Sequence, residues 1–465
     1  MLSPTKKIFL IASHVSLAGL LYGLDTGSIG VITQMDQFAA SIGHLTSMQQ
    51  GIYVSCILLS SSISSLASGH ISDRISRKYG LLIGSILSLI GTVVSASSPN
   101  FAALIVGRLI TGMGMGQAIS VATVYLVEIA TADIRGVTAC LLQLYVVIGI
   151  MTGYFIAYGS HELSGSMAWR LPFIVQAVMA AALSLGLLLL PFSPRWLVQA
   201  GRSDDARRVL SKLRTATAVD SELHEIQQSL QSDRHKSVAS WGEIFGRKYI
   251  SRTSLGIFLM SQIDVVLYYA PILFRQAGFT SEKASFLSSG VTGIVMLVCT
   301  IPAQIWIDRW GRRMPLIIGG LVMAISFIVT GSLYARFGHS TADSVILTST
   351  AAQWVVIVLI YVFVANFSWS WAVVGKIYAS EIIPTRLRAK VCALELVANW
   401  IVNFIVTLTA PLFLRSSPSG PYFLYGFATI LAVAVCYLMP ETKGQSLEKI
   451  EGLFEKRVDG EEPRV

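Results

Sequence analysis

What most constrains this chain is the spacing of its apolar stretches: about twelve runs near twenty residues long, joined by short polar segments. An α-helix rises about 1.5 Å per residue, so roughly 20 apolar residues cross a hydrocarbon core about 30 Å thick. The runs lie near 8–32, 48–68, 79–97, 101–127, 137–159 and 169–190, then 253–275, 285–307, 314–335, 352–378, 389–413 and 421–439. Composition points the same way. With 53% hydrophobic and 13% charged residues, the chain has about half the usual charge of a water-soluble domain. A soluble enzyme, a nucleic-acid binder and a secreted disulfide module are excluded, and an all-α protein threaded repeatedly through a lipid bilayer is predicted.

The formal charge of +9 fits this reading, because Lys and Arg gather in cytoplasmic joints. Lys6, Lys7, Arg74, Arg77, Lys78, Arg135, Arg309, Arg312, Arg313, Arg386, Arg388 and Lys390 fall on the side of the N-terminus. Arg275, Lys283, Arg336 and Arg415 fall on the other, with Arg170 at a span edge, so both termini are expected in the cytoplasm; the plasma membrane is the expected location, though the charge count does not select it. The five cysteines sit in or beside apolar runs without paired spacing and read as small buried hydrophobes. The first apolar run is too long for a signal peptide's core. The sequon Asn366-Phe367-Ser368 lies mid-span and is rejected as a glycosylation site. No metal cluster, nucleophile triad or phosphate-cradling loop is read, and no cofactor is expected.

The halves repeat one another. Asp73-Arg74-Ile75-Ser76-Arg77-Lys78 returns as Asp308-Arg309-Trp310-Gly311-Arg312-Arg313. Tyr125-Leu126-Val127-Glu128, with Arg135 beyond it, returns as Tyr378-Ala379-Ser380-Glu381 with Arg388. Pro191-Phe192-Ser193-Pro194-Arg195 has its counterpart in Pro440-Glu441-Thr442. The expected organisation is a six-helix half over 1–190, a cytoplasmic linker over 191–250, a second six-helix half over 251–439 and a tail over 440–465. Paired halves around a central cavity suit alternating access. Within the linker, Val209, Leu210 and Leu213 form one apolar stripe and Leu223, Ile226 and Leu230 another. Such helices either bridge the halves or lie solvated on the membrane.

These joints resemble those of the sugar porter family of the major facilitator superfamily, over nearly the whole chain. Gly107-Arg108-Leu109-Ile110-Thr111-Gly112-Met113-Gly114 is similar to its fourth span, and Pro440-Glu441-Thr442-Lys443-Gly444 to its closing signature. Two departures stand out: Ser76 replaces a glycine and Phe192 a glutamate. The run from Ile263 to Pro271 and that from Val374 to Glu381 look most like fungal members. The resemblance implies a monomeric twelve-helix carrier, in two six-helix halves, that moves a small sugar-like molecule by alternating access with protons.

Opposite charges at the cytoplasmic helix ends offer a gate. Asp73, Arg74, Arg77, Glu128, Arg135, Asp308, Arg309, Arg312, Glu381 and Arg388 are expected to lock the halves in the outward-open state. Exposed pairs contribute about 0–1 kcal/mol each, weak enough to release. Topogenic charge alone accounts for the arginines but not for the repeated glutamates. Inside the membrane, Asp25 in the first span and Arg108 in the fourth would each cost at least about 2.5–3.5 kcal/mol unpaired, so a mutual pair is predicted. In the family's proton symporters an aspartate and an arginine at these positions couple transport to protons, whereas its uniporters carry a neutral residue at the first. A static structural ion couple is the other reading.

A sugar needs amides that both donate and accept, and a ring to pack against. Gln143, Asn399, Trp400 and Asn403 fall on positions that bind sugar in the family. Each amide also suits a hydrogen bond that glues helices together. The second half departs from the pattern. Phe258 and Leu259 stand where the family has a Gln-Gln pair, the segment before Asp264 is about five residues short, Met296 replaces an asparagine and Lys376 a tryptophan. Gln262 is a candidate to take up part of the lost role. Asp264 and Lys376 suit a charged or larger substrate, though Lys376 is also placed to snorkel. Tyr268 and Tyr269 either line an outer gate or pack. Two rivals stay open: a carrier or exporter of a non-sugar metabolite, and a transporter-like sugar sensor, which the short tail after Met439 disfavours.

Overall fold

The computed structural model describes residues 3–131, 134–235, 241–246, 249–261, 265–278, 282–340, 345–383, 385–417 and 419–443. Six long helices open the chain: α1 (Pro4–Ile32), α3 (Ser47–Ile75), α4 (Arg77–Ser97), α5 (Phe101–Ile129), α6 (Arg135–Ser160) and α7 (Met167–Leu189), with the short α2 (Asp36–Ile42) between the first two. The end of the bundle where α1 begins is called near, the opposite one far. Short near-end helices follow: α8 (Pro194–Gln199), α9 (Ser203–Leu213), α10 (Val219–His235) and α11 (Trp241–Ile244). The second half comprises α12 (Ile250–Met260), α13 (Val265–Gln276), α14 (Glu282–Trp310), α15 (Arg313–Phe337), α16 (Thr350–Trp369), α17 (Lys376–Glu381), α18 (Thr385–Ser416) and α19 (Gly420–Leu438). Between α15 and α16 a two-stranded hairpin, β1 (Gly338–Ser340) with β2 (Val345–Leu347), turns at the far end.

Among the described residues, 11 helices are long and apolar enough to span a membrane. They match every predicted run except the seventh. Apolar side chains such as Leu185, Val298 and Ile305 stand exposed on the outer faces, as a bundle that crosses a bilayer requires. The seventh run, expected to be one helix over 253–275, is instead divided. α12 ends at Met260, where Ser261 leaves helical geometry (φ −74°, ψ 48°). α13 is kinked at Tyr269 (φ −114°, ψ 16°), two residues before Pro271. Proline has no N–H for the carbonyl four residues back. That carbonyl, Leu267, accepts instead from the Tyr154 hydroxyl of α6. The tenth span is also broken: a π-turn over Trp371–Gly375 separates α16 from α17.

The halves press together at the far end. Gly30 of α1 faces the Tyr268 carbonyl so closely that a Cβ would stand 2.3 Å from it, and Gly51 of α3 meets the Leu408 carbonyl likewise at 2.4 Å. Gly293 of α14 abuts Met151 of α6. At the near end the halves are joined by side chains: Gln304 Nε2 donates to the Cys140 carbonyl (3.3 Å) and Lys376 Nζ to Gln143 Oε1 (2.7 Å). In the linker, Leu210 and Leu213 are buried as their stripe predicted. Arg214 fastens this segment to the first half, donating to the Ile129 carbonyl (3.1 Å) while paired with Glu222 (2.5 Å).

Candidate functional site

α1 and α5 cross inside the first half and carry the two intramembrane charges to one point. Arg108 Nη1 meets Asp25 Oδ1 at 2.6 Å, with side-chain exposures of 1% and 4%. The rest of the guanidinium is satisfied by α3: Nε donates to the Tyr53 carbonyl (3.0 Å), Nη2 to that of Val54 (3.3 Å), and the Tyr53 ring lies 5.2 Å away. The predicted pair is therefore formed, with a cradle of backbone carbonyls that sequence alone did not disclose. Removing either partner strands a buried charge.

Above this pair an aromatic chain links the halves. Tyr22 of α1 shares a hydrogen bond with Tyr268 of α13 (hydroxyl oxygens 2.9 Å apart) and meets the Trp400 ring edge-on at 5.2 Å. Tyr269 donates to the Thr407 carbonyl (2.8 Å) and is buried. On α18, Asn399 Nδ2 donates to the Met260 carbonyl (2.6 Å), the last carbonyl of α12, and Asn403 Nδ2 donates to the Asn399 carbonyl (3.1 Å). Asn399 thus bonds from α18 to α12, while the Asn403 bond stays within α18. Lys376 is exposed, and its ammonium donates to Gln143 Oε1 across the halves. Gln262 and Asp264 lie outside the described residues.

The near-end charges form two matching modules. In the first half Arg77 meets Asp73 (2.6 Å) and Glu128 (3.2 Å), Ser193 Oγ donates to Glu128 (2.5 Å), and Tyr125 donates to the Pro191 carbonyl (2.6 Å). In the second, Arg312 meets Glu381 (2.8 Å), Thr442 Oγ1 donates to Glu381 (2.7 Å), and Tyr378 donates to the Pro440 carbonyl (2.9 Å). Each Tyr-x-x-Glu repeat thus clamps its own half. In this conformation these pairs do not lock one half to the other, because each arginine opens a helix beside the glutamate of its own half. Arg74 and Arg309 are exposed. The side chains of Arg135, Asp308 and Arg388 lie outside the described residues.

The modules differ where the sequence does. Glu441 accepts from the backbone N–H groups of Arg312 (2.9 Å), Arg313 (2.9 Å), Thr442 (3.0 Å) and Lys443 (3.0 Å), capping α15. Partial burial pushes its carboxyl upward, but these four donors outweigh that and hold it below the usual glutamate range. Phe192, at the matching place, stacks on Trp196 and lies under Lys78 Nζ (5.1 Å). There Ser76 Oγ caps α4 instead, accepting from Tyr79 N–H (3.1 Å).

Sequence reasoning passed over Glu395, a carboxyl inside the eleventh span, although an acidic residue within an apolar run is a visible signal. It also passed over Tyr22 and Tyr154, for which the sequence holds no comparable sign.

Comparison with known proteins agrees with this architecture. The family described as "Sugar (and other) transporter" matches residues 11–454. The chain is 31% identical to high-affinity glucose transporter 1 of Candida albicans, over 97% of this chain and 86% of that one. It is 30% identical to sugar transport protein 10 of Arabidopsis thaliana, over 96% and 90%. Among solved structures it is similar to the inward-open xylose transporter XylE from E. coli, with TM-score 0.78, 27% identity and coverage of 96% and 99%. It is similar too to the proton:xylose symporter XylE bound to 6-bromo-6-deoxy-D-glucose, with TM-score 0.80, 27% identity and coverage of 97% and 100%. Repeated halves, a buried aspartate–arginine couple and a sequence match over nearly the full length lead to one assignment: this multi-pass membrane protein belongs to the sugar (and other) transporter family.

Proposed function

We propose that the protein is a sugar–proton symporter that works by alternating access in the plasma membrane with both termini cytoplasmic. The observation that carries the proton coupling is the Asp25–Arg108 couple, a buried charge pair at 2.6 Å. When the far end opens, water reaches the pair, a proton transfers to Asp25 and Arg108 is released to its α3 carbonyls. The halves then close over substrate, and opening of the near end returns the proton to the cytoplasm. One charge moving through about 100 mV supplies about 2.3 kcal/mol. The relatives support the sugar: one is named for glucose and the structural neighbour for xylose.

In this reading Gln143, Asn399, Trp400 and Asn403 bind the sugar, with Asn399 exchanging the Met260 carbonyl for a sugar hydroxyl. Gln262 and Asp264 belong to the same site by position. Tyr268 and Tyr269 close its outer side. The near-end modules around Glu128 and Glu381 form the cytoplasmic gate, each paired within its own half in the conformation described here. Topogenic charge supports the orientation. One observation favours a second reading: the ammonium of Lys376 stands at Gln143, and Phe258 and Leu259 offer no hydroxyl partners. A carrier of a metabolite other than a neutral sugar fits that pair of facts.

The test is labelled hexose uptake in cells lacking their own hexose carriers, at acidic and neutral pH, with and without a protonophore, after surface expression is verified. Acid-stimulated, protonophore-sensitive uptake is expected. Asp25→Asn is expected to abolish accumulation against a gradient while leaving exchange intact. Accumulation that survives this substitution refutes the coupling role. No hexose uptake by wild-type protein at the surface favours the second reading.

A further inference from the structure

Glu395 is a second carboxyl group inside the bundle, and the transport cycle above does not use it. It lies on α18 one turn before Asn399 and two before Asn403, so the three side chains share a face. The residue is 2% exposed. Its carboxyl is pressed against α12 at Gly256, where a Cβ would stand 2.0 Å from Oε1; a glycine is what makes room for it. Oε1 has no hydrogen-bond partner among the described residues. The thiol of Cys392, one turn back on the same helix, is a side-chain hydrogen-bond partner of the carboxyl.

Cations do not compensate it. The titratable groups on the neighbouring elements are Arg252 on α12, Glu243 on α11, Lys376 (whose ammonium donates to Gln143), Tyr378 and Glu381 on α17, and Lys390 and Cys392 on α18. Glu381 is paired with Arg312, Tyr378 donates to Pro440, and Arg252, Glu243 and Lys390 have interactions of their own. No ion pair to Glu395 is formed among the described residues. α3 packs along α18 and carries Tyr53, Cys56, His70, Asp73 and Arg74, none of which forms an ion pair with Glu395 among the described residues, while α13 and α19 touch α18 at Thr407 and Phe413. Asp25 has an arginine; Glu395 has a glycine and a thiol. A buried carboxyl without a cation meets the cost of desolvation by binding a proton.

We propose that Glu395 is a second proton-binding group of the carrier, holding its proton while α12 covers it and exchanging it with water when α12 lifts away. α12 is suited to such movement. It ends at Met260, where the Asn399 bond that holds it to α18 is the one a sugar hydroxyl replaces in the reading above, whereas α13 is fastened to the first half by Tyr22, Tyr154 and Gly30. The step is a proton transfer from hydronium to a carboxylate oxygen and back, with no change of oxidation state. The inference rests on the proton-coupled reading, and its test separates the two.

Full-length wild type, Glu395→Gln and Asp25→Asn would be purified and compared. Glutamine keeps the size of the neutral acid and cannot release a proton. Infrared acid-minus-alkaline difference spectra should contain a carbonyl component from a buried protonated carboxyl that is present in wild type and Asp25→Asn and missing in Glu395→Gln, isolated by subtracting the variant's difference spectrum from that of wild type so that the other carboxyls cancel. In proteoliposomes, with D-glucose as probe and an internal pH dye, the protons entering per glucose should fall about two-fold in Glu395→Gln, with glucose exchange retained. No such component in the wild-type-minus-variant spectrum of monodisperse Glu395→Gln, or an unchanged proton-to-glucose ratio, overturns the proposal. If wild type moves no glucose, the sugar–proton reading fails and the infrared band still decides Glu395. If Glu395→Gln does not fold, Glu395→Asp should shift the band, and an unshifted band overturns the proposal.

Discussion

Ser76 carries backbone strain that its counterpart avoids. At φ 127° and ψ 160° it occupies a region that essentially only glycine visits freely, while Gly311 turns the matching joint at φ 83°. Such a conformation costs on the order of 1–3 kcal/mol for a residue with a Cβ. Its hydroxyl returns part of this by capping α4 at Tyr79, but a glycine at a cap position loses only a few tenths of a kcal/mol against serine. Ser76→Gly is therefore expected to raise stability by about 1 kcal/mol, read as a higher melting temperature of the purified protein. A lower melting temperature would mean that the cap outweighs the strain. Both sides of the argument lie in one side chain, and the replacement of glycine by Ser76 was visible in the sequence while its φ was not.

At the scale of the element, the divided seventh span decides how the halves meet. Pro271 leaves the Leu267 carbonyl without its helical donor, and Tyr154 supplies one from the other half. Tyr154→Phe leaves that carbonyl buried and unsatisfied, which costs about 1–3 kcal/mol. Because the bond exists only while α6 and α13 touch, most of that loss falls on this far-end-closed conformation. The expected result is faster labelling of a cysteine placed on the far-facing side of the site, by a membrane-impermeant reagent; unchanged labelling would show that the bond does not bias the equilibrium. The length and apolarity of the other spans made them legible in the sequence, and the cost of intramembrane charge joined Asp25 to Arg108 before any coordinates. The break at Ser261 was not legible, because apolar content does not report on helix continuity. Nor was the commitment of Asn399 to Met260, since an amide's partner is set by tertiary packing. Lys376 illustrates the same limit: the sequence left substrate contact and snorkelling both open, and only the fold shows that its ammonium donates to Gln143.

Across the whole molecule the two halves solve one problem in two ways, and this makes them unequal in acid. Both clamp a helix-opening arginine with a repeated glutamate, and both tie a repeated tyrosine to a proline carbonyl. Only the second half caps its joint with a carboxylate, Glu441; the first uses the neutral hydroxyl of Ser76. Glu441 titrates below its ordinary range in the folded protein because four backbone donors favour the charged form over the burial that opposes it. A carboxyl whose folded value is depressed binds fewer protons folded than unfolded, so its stabilisation is present above the ordinary glutamate value of about 4.3. It is lost as pH falls through the lowered folded value. Glutamine keeps one acceptor oxygen but not the charge at the start of α15, so Glu441→Gln should cost about 0.5–1 kcal/mol at neutral pH. The gap between wild type and variant should then close as the buffer is taken into the acid range below pH 4.3. Melting temperatures of both proteins across that range measure it directly, since the other carboxylates titrate alike in the two and cancel. A gap that stays constant, or widens on acidification, would show that Glu441 holds the joint as a hydrogen-bond acceptor alone. The two halves would then differ in shape at their joints but not in their response to pH.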